Sequence, residues 1–300
     1  MILAVLAAAA VAQPPAVLTI DPKHRLVEGV ATDGATIFVS SVLDRQVLAC
    51  TTSCRTIATL PAGLHPMGIA WDWGRGLLWI AADCPEVAGI AKCERGALVA
   101  INRNGKLRGQ WRPAAGAFHP GDVAATQSGV FASDSQNGMV WGLIPRRPGL
   151  RAVNRPGEGE SAQGAALAPT GTELIVADYP RGIGRIDLKT KATTWLPKPD
   201  GKPSRGIDGF VRCGPGYLGV YNGGAIPARI YAFRVRPGGI DRSELVDGLL
   251  LNDPTQIAFD GKRLLVVSDS GWDRIAKGET TRRTGAQILA IPMTRHCRLL

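Results

Sequence analysis

The sequence predicts an all-β chain folded as a six-bladed β-propeller of four-stranded antiparallel blades. Three observations favour this fold. A unit of about 40 to 50 residues recurs along the chain. Glycine-bearing turns lead into runs rich in Val, Ile, Leu and Phe. No stretch of a dozen residues carries an apolar stripe at helical spacing without an intervening Gly or Pro.

The repeat opens with a small residue followed by a short apolar strand, and it occurs six times. The copies begin at residues 28–31, 67–70, 121–124, 163–166, 208–211 and 255–258. Counted from the third residue of each copy, the steps are 39, 54, 42, 45 and 47 residues. These steps match the usual length of a propeller blade.

Each copy continues through a turn into a second strand. These second segments are residues 33–40, 75–81, 128–133, 171–177, 215–220 and 261–267, and third strands follow at 184–188 and 229–233. One such sheet cannot bury both of its apolar faces, whereas six in a ring pack against their neighbours and leave only short edges. We therefore expect one propeller domain over residues 13–300.

The first twelve residues predict a cleaved signal peptide, residues 1–12. Residues 2–12 are apolar and end in Ala10-Val11-Ala12, the small-x-small pattern of a cleavage site. A buried N-terminal strand or helix is the alternative. No Lys or Arg precedes Lys23, so the usual basic n-region is missing and an upstream start codon stays open. The run is shorter than the roughly 20 residues of a membrane span, and we expect a periplasmic or secreted protein with no stable membrane insertion.

The six cysteines agree with an oxidising compartment, because disulfides need an even number. The spacing favours local pairs, Cys50 with Cys54 and Cys84 with Cys93. Cys213 and Cys297 would then form a long-range pair, although six cysteines allow fifteen pairings.

Charge does not indicate a nucleic-acid partner. The chain has 35 basic and 25 acidic residues, a net charge of +10, but its longest basic runs are the pairs Arg146-Arg147 and Arg282-Arg283. Dispersed charge is typical of a solvated surface. We expect a monomer whose partner is a small molecule.

The start of each inner strand is where chemistry is predicted. In a propeller these strands begin at one end of the central channel, so side chains far apart in sequence meet there. Glu28, Gln163 and Asp208 would supply two carboxylates and an amide oxygen, with Asp122 as a third carboxylate beside Gly121. Such oxygen ligands suit Ca²⁺, and Mg²⁺ or Mn²⁺ would accept them. Alternatively, these acids cap turns or pair with arginines such as Arg205.

These repeats resemble those of the SMP-30/gluconolactonase/strictosidine synthase-like superfamily, which includes the paraoxonase-like lactonases. The family places metal ligands at the opening residues of blades one, three, four and five, as Glu before Gly, Asn before Asp, Asn before Gly, and Asp before Gly or Asn. This chain matches in Glu28-Gly29 and Asp208-Gly209 but has Gly121-Asp122 and Gln163-Gly164 between them. The resemblance covers residues 28–293 and implies a lactonase more weakly than it implies the fold.

The reaction expected of such a site is metal-dependent hydrolysis of a sugar lactone or another small lactone or ester. A bound cation polarises the carbonyl and lowers the pKa of water, which fits the absence of a Gly-x-Ser-x-Gly motif. We expect Asp208, then Asp122, as base, with His119 as a proton shuttle. His65, His119 and Arg205 are the candidate substrate contacts, although both His-Pro pairs could instead shape turns between blades. The competing hypothesis is a non-catalytic propeller that binds a small ligand or a protein.

Overall fold

The computed structural model describes residues 14–87, 89–91, 93, 95–245, 251–279, 284–293 and 297. The predicted signal peptide, residues 1–12, lies outside the described residues. Strands form six four-stranded sheets, each antiparallel between neighbouring strands. The predicted six-bladed β-propeller is thus confirmed.

The strands follow one another in chain order. They are β1 (Ala16–Thr19), β2 (Val27–Thr32), β3 (Ile37–Ser41), β4 (Gln46–Cys50), β5 (Cys54–Thr59), β6 (His65–Asp72), β7 (Leu77–Asp83), β8 (Ala97–Asn102), β9 (Leu107–Trp111), β10 (Pro120–Thr126), β11 (Gly129–Asp134), β12 (Val140–Leu143), β13 (Arg151–Ala152), β14 (Ala162–Leu167), β15 (Glu173–Asp178), β16 (Gly182–Asp187), β17 (Thr193–Trp195), β18 (Ile207–Cys213), β19 (Gly216–Tyr221), β20 (Arg229–Arg236), β21 (Gly239–Glu244), β22 (Ile257–Phe259), β23 (Arg263–Ser268) and β24 (Gln287–Pro292). A short helix, α1 (Trp272–Ala276), lies between β23 and β24.

The ring is closed by the two ends of the chain. Blades 1 to 5 are the consecutive sets β2–β5, β6–β9, β10–β13, β14–β17 and β18–β21, whereas blade 6 is ordered β22-β23-β24-β1. Its outer strand therefore comes from the N-terminal part of the described chain. Because β1 pairs with β24, the first blade cannot move away from the last without breaking a ladder of hydrogen bonds.

Apolar side chains fill the spaces between blades. Six clusters of buried hydrophobic residues occur in the described chain, one at each interface between neighbouring blades. On the face of blade 5 that packs against blade 4, for example, Phe210 stacks on Tyr217 with ring centroids 5.4 Å apart. This arrangement explains the sequence pattern, because blade strands that are buried on both faces read as continuous apolar runs rather than as alternating ones.

The inner strands of blades 1 to 5 are bulged where the repeat opens. The register shifts between Val27 and Val30, Pro66 and Ile69, Pro120 and Asp122, Ala162 and Ala165, and Ile207 and Phe210. A bulge breaks the two-residue alternation and redirects a side chain. The residues at these shifts therefore leave the packed faces of the blades and line one end of the channel.

Glycine follows the opening residue because neighbouring inner strands approach closely there. A Cβ added to Gly164 would lie 2.6 Å from the backbone nitrogen of Phe210, and one added to Gly209 would lie 2.8 Å from Cα of Gln256. A side chain at either position would push adjacent blades apart. The close approach of neighbouring inner strands thus explains why a glycine follows Gln163 and Asp208.

The three predicted disulfides are confirmed: Cys50–Cys54, Cys84–Cys93 and Cys213–Cys297. The first joins β4 to β5 across their turn, and the last connects the end of β18 to the C-terminal part of the chain. Three disulfides are consistent with an extracellular or periplasmic protein. Within the described residues, no helix is both long and apolar enough to cross a membrane.

Candidate functional site

A cavity of about 790 Å³ opens at one end of the central channel. All five residues at the bulged strand openings line it: Glu28, Met67, Gly121, Gln163 and Asp208. The convergence expected from the repeat is therefore present for Glu28, Gln163 and Asp208. The bulges bring together residues that are 180 positions apart in the sequence (28 to 208).

Two carboxylates of the cavity, Glu28 and Asp208, have no cationic partner among the described residues. Neither Glu28 nor Asp208 forms an ion pair within the described chain. Burial, followed by the negative charge of Asp208, raises the pKa of Glu28 well above its ordinary value. Burial, followed by the charge of Asp253, raises the pKa of Asp208 to about 6. The charge of Asp208 also raises the pKa of Glu28, so the two acids titrate as an interacting pair.

Asp208 is held in position by Asn222. The Asn222 Nδ2 group donates to Asp208 Oδ2 at 2.7 Å and to the carbonyl of Pro254 at 2.9 Å. The Tyr179 hydroxyl in turn donates to Asn222 Oδ1 at 3.0 Å. Asn222 therefore orients one oxygen of Asp208 and leaves Oδ1 without a hydrogen bond from the described residues.

Gln163 presents its amide oxygen to the gap left by Gly121. Its Nε2 donates to Ser161 Oγ at 2.9 Å, and that hydroxyl donates to the carbonyl of Ser135 at 2.7 Å. A Cβ built on Gly121 would lie 3.7 Å from Gln163 Oε1. Since the amide nitrogen is occupied, the oxygen is the end of Gln163 that is free to bind a ligand.

Two further residues from blade 6 complete the wall beside Glu28. Trp272, the first residue of α1, donates its indole N–H to Glu28 Oε2. Asp253 accepts from Ser270 Oγ and from the Gly271 N–H, both at 2.7 Å. Burial raises the pKa of Asp253. Asp253 is thus a third carboxylate close enough to act on the titration of Glu28 and Asp208.

Asp122 lies at a different place from the one expected. It lines the cavity at the opposite end of the channel, and its Oδ1 accepts hydrogen bonds from its neighbour Val123 N–H and from Gln256 Nε2. The bulge in β10 turns Gly121 toward the carboxylate-rich cavity, so the next residue points along the channel. Asp122 still raises the pKa of Glu28 through its charge, but the structure does not place it on the wall of the 790 Å³ cavity.

Gln256 separates the two cavities. Its Oε1 accepts from the backbone N–H groups of Val30 at 2.9 Å and Ile69 at 3.1 Å. The same side chain donates to Asp122. One buried amide thereby links the inner strands of blades 1, 2 and 3 to blade 6 and satisfies two N–H groups that the bulges leave without strand partners.

His65, His119 and Arg205 do not line the central cavity. His65 is buried and its Nδ1 lies 2.8 Å from the carbonyl of Val42, whereas Arg205 is exposed in a separate depression. His119 is buried with its Nδ1 3.0 Å from Asp83 Oδ1. Asp83 does line the cavity, so His119 reaches the site only through that carboxylate. The alternative pairing of channel acids with Arg205 is likewise absent among the described contacts.

The side-chain oxygens of Glu28, Gln163 and Asp208 are of the chemical type that binds a hard divalent cation. Carboxylate and amide oxygens are the ligands of Ca²⁺ and Mg²⁺, and a cation would offset the burial and the repulsion that raise the pKa values of Glu28 and Asp208. In the described chain, only Asp83, Cys84 and Cys93 place three such ligand atoms of His, Cys, Asp or Glu within 4.8 Å of one another. Both cysteines are in a disulfide, so that cluster offers no thiolate.

Sequence reasoning missed the residues that support the site. Asn222 follows β19, Asp253 precedes β22, and Trp272 begins α1. None belongs to the opening motif, and the repeat offers no common position for them. The recurrence of a short polar segment after the second strand, as in Asp134-Ser135 and Ser268-Asp269, is the signal that marks loops at this end of the ring.

Comparison with solved structures shows the fold. A gluconolactonase from Xanthomonas campestris is 15% identical, with a TM-score of 0.59 over 93% of this chain and 96% of that one. A PQQ-bound aldose sugar dehydrogenase from Streptomyces coelicolor is 13% identical, with a TM-score of 0.59 over 92% of this chain and 98% of that one. A chain of a nidogen–laminin complex is 11% identical, with a TM-score of 0.54 over 72% and 84%. The sequence matches no protein-family model and no curated protein.

These structural relatives have different activities and binding partners, so the shared architecture does not by itself choose a function. What this chain shares with the gluconolactonase structure is the six-bladed propeller fold that the repeats predict.

Proposed function

We propose that this protein is an exported, divalent-metal-dependent hydrolase of a sugar lactone or another small lactone or ester. One observation carries the proposal. Three oxygen-bearing side chains at bulged strand openings, Glu28, Gln163 and Asp208, meet in a single cavity without a described cationic partner. Export is supported by the three disulfides.

The cation that this site would hold is Ca²⁺, with Mg²⁺ and Mn²⁺ as alternatives, and Glu28, Asp208 and the Gln163 amide oxygen are its proposed ligands. When bound, such an ion polarises a carbonyl and makes a coordinated water more acidic. Asn222 holds Asp208 so that Oδ1 faces the cavity. In the metal-free protein burial raises the pKa of Asp208 to about 6, and its Oδ1, which accepts no hydrogen bond from the described residues, is the atom proposed to take a proton from water.

The other predicted groups take indirect roles in this proposal. Asp122 acts through Gln256, which it orients by a hydrogen bond, and through its charge. His119 moves protons only by way of Asp83, its partner at 3.0 Å. His65 and Arg205 line other depressions and not this cavity, so we do not retain them as direct substrate contacts.

The test is turnover of a panel of neutral lactones and esters before and after verified metal removal. We expect EDTA to abolish turnover, Ca²⁺ to restore it, and Glu28→Gln or Asp208→Asn to lower kcat/KM by at least about 100-fold, since each removes a charged ligand. Gln136→Ala is the matched control, because Gln136 lines the same cavity but is not a proposed ligand. Full activity after metal removal would contradict the proposal.

A non-catalytic propeller that binds a small ligand is the second candidate. Two observations favour it: Gly121 contributes no side chain, and among the described residues no three central carboxylates gather their oxygens within 4.8 Å. Calorimetry separates the two functions. Absence of divalent-cation binding together with an inactive panel would support a binding protein, whereas metal-stimulated turnover would reject it.

A further inference from the structure

The central cavity has a charge opposite to that of the whole protein. Its described lining includes six of the 25 acidic residues of the chain and none of its 35 lysines and arginines. The six are Glu28, Asp83, Glu86, Asp208, Asp253 and Asp273.

Two of these acids lie together on the side of the cavity formed by α1. Asp253 accepts hydrogen bonds from uncharged donors, Ser270 Oγ and the Gly271 N–H. Asp273 is exposed, and neither residue takes part in an ion pair of the described chain. The neighbouring Arg274 instead lies 3.9 Å from Asp269. No nearby described cation therefore neutralises these two carboxylates.

A bound divalent cation does not make the electrostatic potential in the cavity positive. A divalent cation held by Glu28 and Asp208 offsets two negative charges and leaves Asp253 and Asp273, which take part in no ion pair of the described chain. A concave site with low-dielectric walls focuses such a field toward its mouth. The net charge of +10 of the chain is spread over the outer surface, where salt screens it within about 8 to 10 Å.

We infer that the site selects its substrates by charge: it admits uncharged and cationic lactones or esters and rejects those that carry a carboxylate or a phosphate. This inference deepens the proposed function and rests on it where it speaks of substrates. Trp272 and Tyr179 also line the cavity, and aromatic rings together with carboxylates favour a cationic group over an uncharged group of the same shape.

The enzymatic test uses two isosteric pairs of substituted γ-butyrolactones. One pair carries a carboxylate or a carboxamide, and the other carries a trimethylammonium or a tert-butyl group. We expect kcat/KM for the carboxylate to be lower than for the carboxamide by on the order of 10-fold at low salt, with the gap closing as ionic strength rises. The kcat/KM for the trimethylammonium compound should exceed that for its tert-butyl isostere.

Asp273→Asn should narrow the gap between carboxylate and carboxamide, while Asp200→Asn on a distant exposed turn should leave it unchanged. Equal kcat/KM values within both pairs at low salt would overturn the inference.

A second measurement does not depend on catalysis. Collisional quenching of Trp272 fluorescence, taken as the difference between the native protein and Trp272→Phe, is compared for iodide, acrylamide and caesium. Each ion is compared with the neutral quencher acrylamide, and we expect the relative quenching of Trp272 to be stronger for caesium than for iodide. The double variant with Asp253→Asn and Asp273→Asn should increase quenching by iodide. If the protein hydrolyses no lactone, the proposed function is wrong, but the order of caesium and iodide quenching still tests whether the cavity selects ligands by charge. Quenching by iodide equal to that by caesium would refute it.

Discussion

Asp208→Asn is expected to stabilise the metal-free protein although it removes a proposed ligand. The substitution keeps the shape of the side chain, and the new amide oxygen can still accept from Asn222 Nδ2, the present donor at 2.7 Å. What it removes is a negative charge that lies beside Asp253 and Glu28. In the absence of metal that charge opposes folding, because burial raises the pKa of Asp208 from 3.8 to about 6.

The magnitude follows from proton linkage. A shift of roughly two pKa units corresponds to about 3 kcal/mol for a fully buried group. Asp208 is half-buried against the cavity, so we expect about 1 to 2 kcal/mol, or a rise in Tm of roughly 2 to 3 °C for a chain of 300 residues. The sign depends on pH. A raised folded-state pKa stabilises the fold below about pH 4, and this stabilisation is lost as pH rises through about 6.

The assay is thermal unfolding followed by circular dichroism in EDTA at pH 4 and pH 8. Asp208→Asn should match the native protein at pH 4 and exceed it at pH 8, while Asp200→Asn, on an exposed turn, should give no gain. Saturating Ca²⁺ should reverse the order at pH 8, since a ligand that binds only the native state stabilises it. A Tm for Asp208→Asn in EDTA at pH 8 that is equal to or below that of the native protein would refute this reasoning.

Three further perturbations test the frame around the site. Gln256→Leu should lower the free energy of unfolding by about 2 to 4 kcal/mol in denaturant titrations, because it leaves the Val30 and Ile69 N–H groups buried without acceptors. Gln127→Leu, at an exposed position, is its control. Equal losses of stability in the two variants would contradict the role of Gln256. Gly164→Ala should cost about 1 to 3 kcal/mol since its Cβ would lie 2.6 Å from the Phe210 backbone, whereas Gly74→Ala, with 3.5 Å to Asp72 Oδ1, should be tolerated. Loss of Cys213–Cys297, with a sequence separation of 84, should cost about 4.5 kcal/mol, against about 2 kcal/mol for Cys50–Cys54, with a separation of 4. A larger loss for the short loop would show that loop entropy does not set the order.

The position of the site could be predicted because it depends on a repeat. Each copy carries its own turn and apolar strand, and the opening residues Glu28, Gln163 and Asp208 occupy the same place in their copies. Because the copies are arranged in a ring, equivalent positions in the sequence lie at the same end of the channel. The same logic failed for Asp122, because a one-residue difference in the bulge decides which end of the channel a side chain faces.

The supporting residues could not be predicted in this way. Asn222 and Trp272 reach the cavity from segments of unequal length after the second strands of blades 5 and 6. His119 shows the reverse case, since its sequence context placed it at the channel mouth. In the structure it packs behind Asp83, and the direction of a side chain between two blades is set by the neighbouring blade rather than by its own repeat.

By itself, the sequence determined the number of blades and the opening residue of each inner strand, because glycine turns and apolar runs act over a few residues. Its cysteine spacing favoured, without fixing, the pairs that the structure confirms. Only the tertiary structure decided how the ring closes through β1, which side chains share one cavity, and that six of them are acidic. Those features arise where separate blades meet, and the burial and mutual repulsion that shift Glu28 and Asp208 exist only once the ring has closed.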